Sequence, residues 1–219
     1  MKHTIQVHKD WNSLYTERPL KDLPWVSPVI HPELKKVIDE LPLNDGTALD
    51  IGCGTGQVSR YLALKGYDVT AIDIAEQAIR ISKKLNNTGK NIKYTVANSL
   101  TFNSEYPFDL VVDFLHIHDI EIPDIYTYIA NLKNLVADNG YLIISTFSFE
   151  GNDPYITRPS YYVNQKITYY SPKFLLNLLG KEFKFVEKKE LIVGNENKWY
   201  VGYILIIKNH EKQIFDYQK

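Results

Sequence analysis

The stretch Asp50–Gly56 constrains the fold of this chain more than any other. It reads Asp-Ile-Gly-Cys-Gly-Thr-Gly, follows the apolar pair Ala48-Leu49 and leads into a helical pattern that begins near Gln57. Glycine adopts backbone conformations that a Cβ forbids and lets the main chain approach a ligand closely. Unpaired N–H groups at the start of the following helix add hydrogen-bond donors. The sequence therefore predicts a strand, a tight turn and a helix, with a nucleoside-bearing cofactor as the natural ligand.

The spacing of the glycines separates two classes of cofactor. The dinucleotide fingerprint G-x-G-x-x-G would place its third glycine at position 57, which is Gln. Counted from Asp50, the stretch reads D-x-G-x-G-x-G and resembles the first motif of class I S-adenosyl-L-methionine (SAM)-dependent methyltransferases. The resemblance implies that Gly52, Gly54 and Gly56 wrap the amino acid end of SAM and that Asp50 helps to hold its ammonium group. A tight turn without a ligand is the structural alternative.

A second acidic residue supports the cofactor interpretation. Residues 69–74 read as a strand with Asp73 at its end, 21 residues after Gly52. In doubly wound sheets an acid at this position accepts hydrogen bonds from ribose hydroxyls. The alternative is that Asp73 caps the helix that begins near Ala75. Because strand, glycine turn, helix, strand and acid occur together, ribose binding is favoured, and Ile74 is assigned to the same cofactor site.

Length, charge and cysteine content narrow the class of protein. The 219 residues fit one domain with a single buried core, and their formal charge is −1 with no basic block, which argues against nucleic acid as a partner. The N-terminus lacks an apolar signal core, and the longest apolar run, Val201–Ile207, is too short to cross a bilayer. We therefore expect a cytoplasmic monomer or homodimer without membrane contact. The single cysteine, Cys53, excludes an internal disulfide and a zinc cluster and favours a packing role.

Alternating helix and strand patterns predict the architecture. They imply a parallel sheet with right-handed crossovers, closed by an antiparallel hairpin over residues 182–193 and 198–208. The pattern resembles the α/β, Rossmann-like methyltransferase fold, which implies a seven-stranded sheet of order 3-2-1-4-5-7-6 with the last strand antiparallel and helices on both faces. The expected organisation is an N-terminal flap over residues 1–30, one methyltransferase domain over residues 31–208, and a tail over residues 209–219.

The N-terminal segment reads as irregular and carries three large aromatic residues. Trp11 and Tyr15, then Pro24-Trp25, then His31-Pro32-Glu33-Leu34 entering a helix, resemble the start of small-molecule methyltransferases such as the thiopurine and tellurite enzymes. The resemblance implies that the segment lies over the active site, with Trp25 at the cofactor and Trp11 and Tyr15 at the substrate. Ordinary surface packing is the alternative.

Two short stretches after strands three and four supply further candidates. Asn98 and Ser99 stand where class I methyltransferases commonly have an Asp that meets the adenine amino group, and the amide oxygen of Asn can also accept a hydrogen bond. Strand four, Phe108–Asp113, leads to His116 and His118. Their spacing would place both rings on one face if the strand continued.

The second of these stretches also holds the catalytic candidates. The small-molecule subgroup often reads D-x-G-x-x-H here; Asp113 and His118 match, whereas Leu115 replaces the glycine. Because histidine accepts a proton near neutral pH, His118, His116 and Asp113 are the predicted catalytic residues. Metal binding by the same cluster with Asp119 is the alternative, but no further ligand set is apparent and no metal is predicted.

The connection over residues 148–168 is longer than usual and reads as a loop. Long loops in compact domains are often lids or binding loops. Tyr155 and Arg158 in this stretch suit the wall of a pocket for a flat or anionic small molecule. Disorder is the structural alternative.

These features together imply a SAM-dependent methyltransferase. It would move a methyl group to a sulfur, nitrogen or oxygen atom of a small molecule and release S-adenosyl-L-homocysteine (SAH), mainly by positioning both partners and excluding water. Three alternatives stay open: a nicotinamide-dependent oxidoreductase, a methyltransferase acting on protein or RNA, and a non-catalytic SAM-binding protein.

Overall fold

A central sheet with helices on both faces forms the body of the protein. A computed structural model describes residues 9–90, 92–149, 151–180, 183–195 and 198–209. The elements in chain order are α1 (Trp11–Glu17), α2 (Pro32–Glu40), β1 (Gly46–Ile51), α3 (Gln57–Lys65), β2 (Tyr67–Asp73), α4 (Glu76–Leu85), β3 (Ile92–Val96), β4 (Phe108–Phe114), α5 (Ile125–Leu135), β5 (Val136–Phe147), β6 (Tyr155–Pro159), β7 (Lys166–Tyr170), α6 (Pro172–Leu179), β8 (Phe183–Asn195) and β9 (Lys198–Asn209).

The main sheet has seven strands in the order β3-β2-β1-β4-β5-β9-β8. Strands β1 to β5 pair in parallel, and β9 runs antiparallel to both β5 and β8. Counted within this sheet, the order is 3-2-1-4-5-7-6, so the predicted fold class is confirmed. The chain order reverses between β1 and β4, and the C-terminal ends of strands at such a point form the crevice in which open α/β sheets bind ligands.

Two apolar cores fix the helices to the sheet. Successive side chains of a strand point to opposite faces, so Ala48 and Leu49 of β1 enter different cores. The first core holds α2 and α3 through residues such as Leu34 and Leu62, and the second holds α5 and α6 through residues such as Leu132. Each such fully buried leucine contributes roughly 1.5–3 kcal/mol. The cores therefore fix the strand ends that carry the candidate site.

A third apolar cluster involves the N-terminal segment, which is not irregular throughout. Residues Trp11–Glu17 form α1, and the carboxylate of its N-cap residue Asp10 accepts the N–H of Ser13 at 2.8 Å. Leu14 and Leu23 pack against Ala78 of α4 and Val163 of the β6–β7 connection. The prediction of an irregular segment is thus wrong for α1, because seven residues with few apolar positions give only a weak helical pattern. Residues 1–8 lie outside the described part of the chain.

The 148–168 stretch differs from its prediction as a loop. Residues Tyr155–Pro159 and Lys166–Tyr170 form an antiparallel hairpin, a separate two-stranded sheet in which Arg158 pairs with Ile167. The loop prediction is wrong because two five-residue strands separated by a six-residue connection lack a two-residue turn signature. The predicted C-terminal tail lies almost wholly beyond residue 209, outside the described residues. The division into flap, domain and tail stays a prediction.

Candidate active site

The glycine turn, residues Gly52–Gly56, lies at the C-terminal end of β1. Gly52, Gly54 and Gly56 have φ values of 65°, 52° and 78°, all in the left-handed region that favours glycine. A Cβ at Gly52 would lie 2.7 Å from ring atoms of His116, and one at Gly56 would lie 2.8 Å from the Tyr94 hydroxyl oxygen. The turn therefore needs glycine both for its backbone conformation and for the absence of side chains.

Asp73 at the end of β2 faces the glycine turn. Its Oδ2 accepts the N–H of Gly54 at 2.9 Å, and its Oδ1 accepts the N–H of Ala75 at 2.8 Å. The local bond to Ala75 and the position beside the glycine turn are thus both present. Burial raises the pKa of Asp73, against the lowering effect of these backbone N–H groups. The side chain is half-buried, so a ligand at the turn would reach a carboxylate that is already fixed in place.

Asp50 lies beneath the same turn. It is buried, and its Oδ2 accepts the hydroxyl of Ser59, a residue of α3, at 2.5 Å. Burial raises the pKa of Asp50 from 3.8 to about 7, and the charges of Asp73 and Asp113 add to the rise. Asp50 therefore ties β1 to α3. Ser59 gave no sequence signal, because a serine inside a helix is usually solvent-facing.

Asp113 at the end of β4 supports the backbone that follows it. Its Oδ1 accepts the N–H groups of His116 and Ile117, both at 3.0 Å, and its Oδ2 accepts the hydroxyl of Tyr128 at 2.5 Å. The side chain is fully buried, and burial raises its pKa. Asp113 is thus placed to position the turn over residues 115–119, hereafter the β4 turn, rather than to contact a substrate itself.

His116 points from the β4 turn toward the glycine turn. Its ring lies against Gly52, and its Nε2 is 2.9 Å from the Oγ of Ser99. Ser99 follows β3, so this contact joins the ends of β1, β3 and β4. The structure brings together His116, Ser99 and Gly52, three of the predicted site residues.

His118 occupies a different environment from His116. The strand ends at Phe114, Leu115 has a φ of 59°, and Ile117–Asp119 form a 3-10 turn. The expectation that both histidines lie on one strand face is therefore wrong. The ring of His118 is buried and lies 4.7 Å from that of Phe147, centroid to centroid. Burial, with a smaller effect of His116, lowers its pKa to about 3, so the imidazole is neutral at physiological pH.

The polar atoms of His118 are incompletely used. Its Nδ1 is buried and has no hydrogen-bond partner within the described part of the chain. Its Nε2 lies 3.7 Å from Oδ1 of Asp119, which accepts the amide of Gln165 at 3.2 Å. A neutral imidazole with a free ring nitrogen can accept a proton or a hydrogen bond. His118 therefore remains a chemically competent candidate.

The residues beyond β2 and β3 are more exposed. The carboxamide oxygen of Asn98 accepts the N–H of Leu100 at 2.9 Å, so the local turn already uses the acceptor that was assigned to adenine. Ile74 and Val96 are 58% and 48% exposed. Val96 pairs with Asp73 in the sheet, which places both apolar residues beside that carboxylate. Val96 was missed because its exposure at a strand end has no sequence signature.

Residues 10–26, hereafter the lid, lie over the glycine turn. The indole N–H of Trp25 donates to the Tyr15 hydroxyl at 2.8 Å, and the same hydroxyl lies 3.0 Å from where a Cβ of Gly54 would be. Trp11 packs edge-on against Trp25, with centroids 5.6 Å apart. The three predicted aromatic residues thus form one group, with Tyr15 innermost.

Tyr155 and Arg158 are placed differently from these aromatic residues. The ring of Tyr155 packs 5.7 Å from that of Phe174 of α6, at the edge of the second core. The exposed guanidinium of Arg158 lies 5.2 Å from the ring centroid of Tyr169, whose ring lies 5.7 Å from that of Phe147. The structure therefore does not bring Tyr155 to the glycine turn, whereas Arg158 connects to His118 through two aromatic rings.

Four buried or half-buried carboxylates give the crevice its electrostatic character. Burial raises the pKa of Asp50, Asp73, Asp113 and Asp119, and repulsion from neighbouring carboxylates adds to the rise for Asp50 and Asp119. Within the described residues, none of the four pairs with Lys or Arg. No group of three His, Cys, Asp or Glu side chains there could hold a metal ion. Of the four, the half-buried Asp73 faces the glycine turn, and a carboxylate without a Lys or Arg partner at that place favours a cationic ligand over a pyrophosphate.

Comparison with known proteins gives a matching family model and a matching fold. Residues 48–140 match the family model described as a methyltransferase domain. A SAM-dependent methyltransferase of Methanosarcina mazei has a similar structure, with a TM-score of 0.69 at 20% identity over 84% of this chain and 100% of that one. TehB of Haemophilus influenzae superposes with a TM-score of 0.66 at 21% identity over 82% of this chain and 62% of that one. The fold is thus that of SAM-dependent methyltransferases.

Among curated relatives, the ubiquinone biosynthesis O-methyltransferase of Thiobacillus denitrificans is 26% identical over 150 residues. The match covers 67% of this chain and 61% of that relative, so this chain spans about three fifths of its length. Within the described residues, no helix is both long and apolar enough to span a membrane.

Proposed function

We propose that this chain transfers a methyl group from SAM to a sulfur, nitrogen or oxygen atom of a small molecule. The acidic crevice at the glycine turn carries this proposal. SAM brings an ammonium and a sulfonium group, both cationic, and the half-buried Asp73, which has no Lys or Arg partner among the described residues, faces the turn where they would lie. A nicotinamide dinucleotide would instead bring a pyrophosphate to the same turn.

The residues around the crevice fit the parts of this cofactor. Asp73 would hold the ribose hydroxyls, Ile74 and Val96 offer apolar surface for the adenine, and Asp50 supports the turn that receives the amino acid end. The left-handed conformation of the three glycines sets the shape of this turn. When bound, SAM supplies an electrophilic methyl group.

The neighbouring aromatic and basic groups would serve the methyl acceptor. Neutral His118, its ring held against Phe147, would orient a hydroxyl acceptor by accepting a hydrogen bond from it; its lowered pKa makes it a weak base. Asp113 would act by positioning the β4 turn, through the N–H groups of His116 and Ile117. The lid, with Trp11, Tyr15 and Trp25, would exclude water. The relative's name, a ubiquinone biosynthesis O-methyltransferase, favours an oxygen atom as the methyl acceptor.

Transfer of labelled methyl from SAM into fractionated extract tests this function. We expect label in the small-molecule fraction, and none in the protein or RNA fractions, because the chain has a charge of −1 and no basic block for RNA. Phenolic acceptors added singly are then compared with amines and thiols. Label that appears only in protein or RNA would contradict the proposal, as would binding of SAM without turnover in any fraction.

A further inference from the structure

The lid is attached to the glycine turn by one side chain that the proposed chemistry does not use. Gln57, the first residue of α3, donates its Nε2 to the main-chain carbonyl of Trp25 at 2.8 Å. Its Oε1 accepts the hydroxyl of Thr55, inside the turn, at 3.1 Å. The carbonyl of Trp25 can only accept, so it must face the NH₂ group of Gln57, and the Thr55 hydroxyl can donate to the amide oxygen. The two contacts together fix the amide of Gln57 in a single orientation. Gln57 thus bridges the lid and the cofactor turn.

Trp25 is the residue of the lid at which these contacts converge. Gln57 holds its carbonyl, while its indole N–H donates to Tyr15. Its ring also packs edge-on against Tyr162 of the β6–β7 connection, with centroids 4.8 Å apart. A shift of the Trp25 backbone would therefore move Tyr15, whose hydroxyl lies over Gly54. The position of the lid is coupled to the turn through Trp25.

The far end of the lid is held independently. The carboxamide oxygen of Asn12 accepts the N–H of Gln77 in the first turn of α4 at 2.9 Å, and Leu14 packs against Ala78. Loss of the Gln57 contact would thus release the Trp25 end while α1 stays on α4. The Tyr15 hydroxyl lies 3.0 Å from the Cβ position of Gly54, so a ligand that occupies this space would displace Tyr15, and the Trp25 end is the part that would move with it.

We propose that Gln57 is a positioning residue that fastens the lid over the cofactor turn and thereby sets the rate at which the nucleoside ligand leaves. The proposal rests on the proposed function for the identity of that ligand. It assigns Gln57 no contact with the methyl acceptor and no part in methyl transfer. Gln57 stands where the dinucleotide fingerprint has its third glycine, and a glycine there could not form either hydrogen bond.

Two substitutions separate the two halves of the bridge. In Gln57→Glu the carboxylate can still accept the Thr55 hydroxyl but cannot donate to Trp25, whereas Gln57→Met loses both hydrogen bonds. Gln77→Glu is the matched control, because it introduces the same charge at the first turn of the neighbouring helix and leaves the bridge intact. We expect both Gln57 variants to speed SAH dissociation roughly three- to tenfold, the factor that one neutral hydrogen bond contributes. The association rate should be unchanged or faster, and the melting temperature should fall by no more than about 4 °C.

Hydrogen exchange on the free protein provides a readout without a ligand. We expect faster amide exchange within residues 23–26 in both Gln57 variants, wild-type exchange in the Asn12 and Leu14 region, and wild-type exchange throughout in Gln77→Glu. Wild-type exchange in the Gln57 variants, or equal SAH dissociation in wild type and variants, would overturn the proposal. If wild-type protein binds no SAH, the proposed function fails, and the exchange comparison still decides whether the bridge holds the lid.

A double variant tests whether the lid moves as one unit. Tyr15→Phe removes the acceptor of the Trp25 indole and should also speed SAH dissociation. If both contacts hold the same unit, Gln57→Met combined with Tyr15→Phe speeds dissociation by less than the product of the single effects. Effects that multiply would contradict the coupling through Trp25.

Discussion

At the scale of single residues, Gly52 shows why a substitution in the glycine turn is expected to be destabilising. Its φ of 65° is strained for any residue with a Cβ, and the ring of His116 occupies the space where that Cβ would lie. Backbone strain and steric overlap would thus each destabilise a variant with a side chain at position 52. At Gly89 only backbone strain would arise, because its φ is 68° and nothing lies within 4 Å of its Cβ position.

Substitution of these glycines separates backbone strain from steric overlap. We expect Gly89→Ala to lower the free energy of unfolding by about 1 kcal/mol, the cost of left-handed backbone. Gly52→Ala should cost at least about 1 kcal/mol more, because the ring of His116 must shift. Urea denaturation measures both values.

A double-mutant cycle then identifies the clashing partner. His116→Ala removes the ring, so the double variant Gly52→Ala/His116→Ala should be more stable than the sum of the single effects by roughly 0.5–3 kcal/mol. Additive effects would show that His116 does not rest against Gly52.

At the scale of elements, the sequence predicts helices and strands that have a regular apolar pattern. It misses those that depend on contacts with residues far away in the sequence. The strand–turn–helix around Asp50 and the strand ending at Asp73 follow from glycine spacing and apolar periodicity, and the sheet order follows from the resemblance. Ser171 is the N-cap of α6: its hydroxyl accepts the N–H of Phe174 at 3.2 Å, and Pro172 is the first helical residue, an arrangement of neighbouring residues that is typical of helix starts.

The elements that were missed are short ones held by tertiary contacts. Helix α1 is stabilised by packing on α4 and on Val163, which no local pattern encodes. The β4 turn departs from the strand because Asp113 binds two backbone N–H groups and Leu115 takes a left-handed conformation. The roles of Gln57 and Val96 likewise depend on residues far away in sequence. The strand ends and the glycine turn were therefore easier to predict than α1 and the β4 turn.

At the scale of the whole molecule, the buried Asp50 and His118 have opposite effects on how the free energy of unfolding depends on pH. Between pH 4 and 7 the native state retains a proton on Asp50, whose pKa is raised from 3.8 to about 7, while the unfolded state has released it. This term lowers the free energy of unfolding as the pH rises. His118, with its pKa lowered from 6.5 to about 3, does the reverse, because the unfolded state binds the proton that the native state rejects.

Stability measured from pH 4 to 8 tests this balance. Relative to wild type, the free energy of unfolding of Asp50→Asn should increase as the pH rises to about 7. That of His118→Gln should decrease relative to wild type as the pH rises to about 6.5. Each change should be at most about 4 kcal/mol. Asp68→Asn, an exposed acid at the other end of β2, is the control and should run parallel to wild type. A parallel curve for Asp50→Asn would contradict the assigned burial of its charge.

The central claim is that this glycine-lined crevice seats a nucleoside that carries an amino acid rather than a dinucleotide, and calorimetric titration with SAH and NAD tests it most directly. We predict that SAH binds and NAD does not. Asp73→Asn should weaken SAH binding by roughly 1–3 kcal/mol through loss of a charged acceptor, and Asp68→Asn should leave it unchanged, with both variants shown to be folded by their melting temperatures. Equal binding of SAH to wild type and Asp73→Asn, or binding of NAD in place of SAH, would contradict the account.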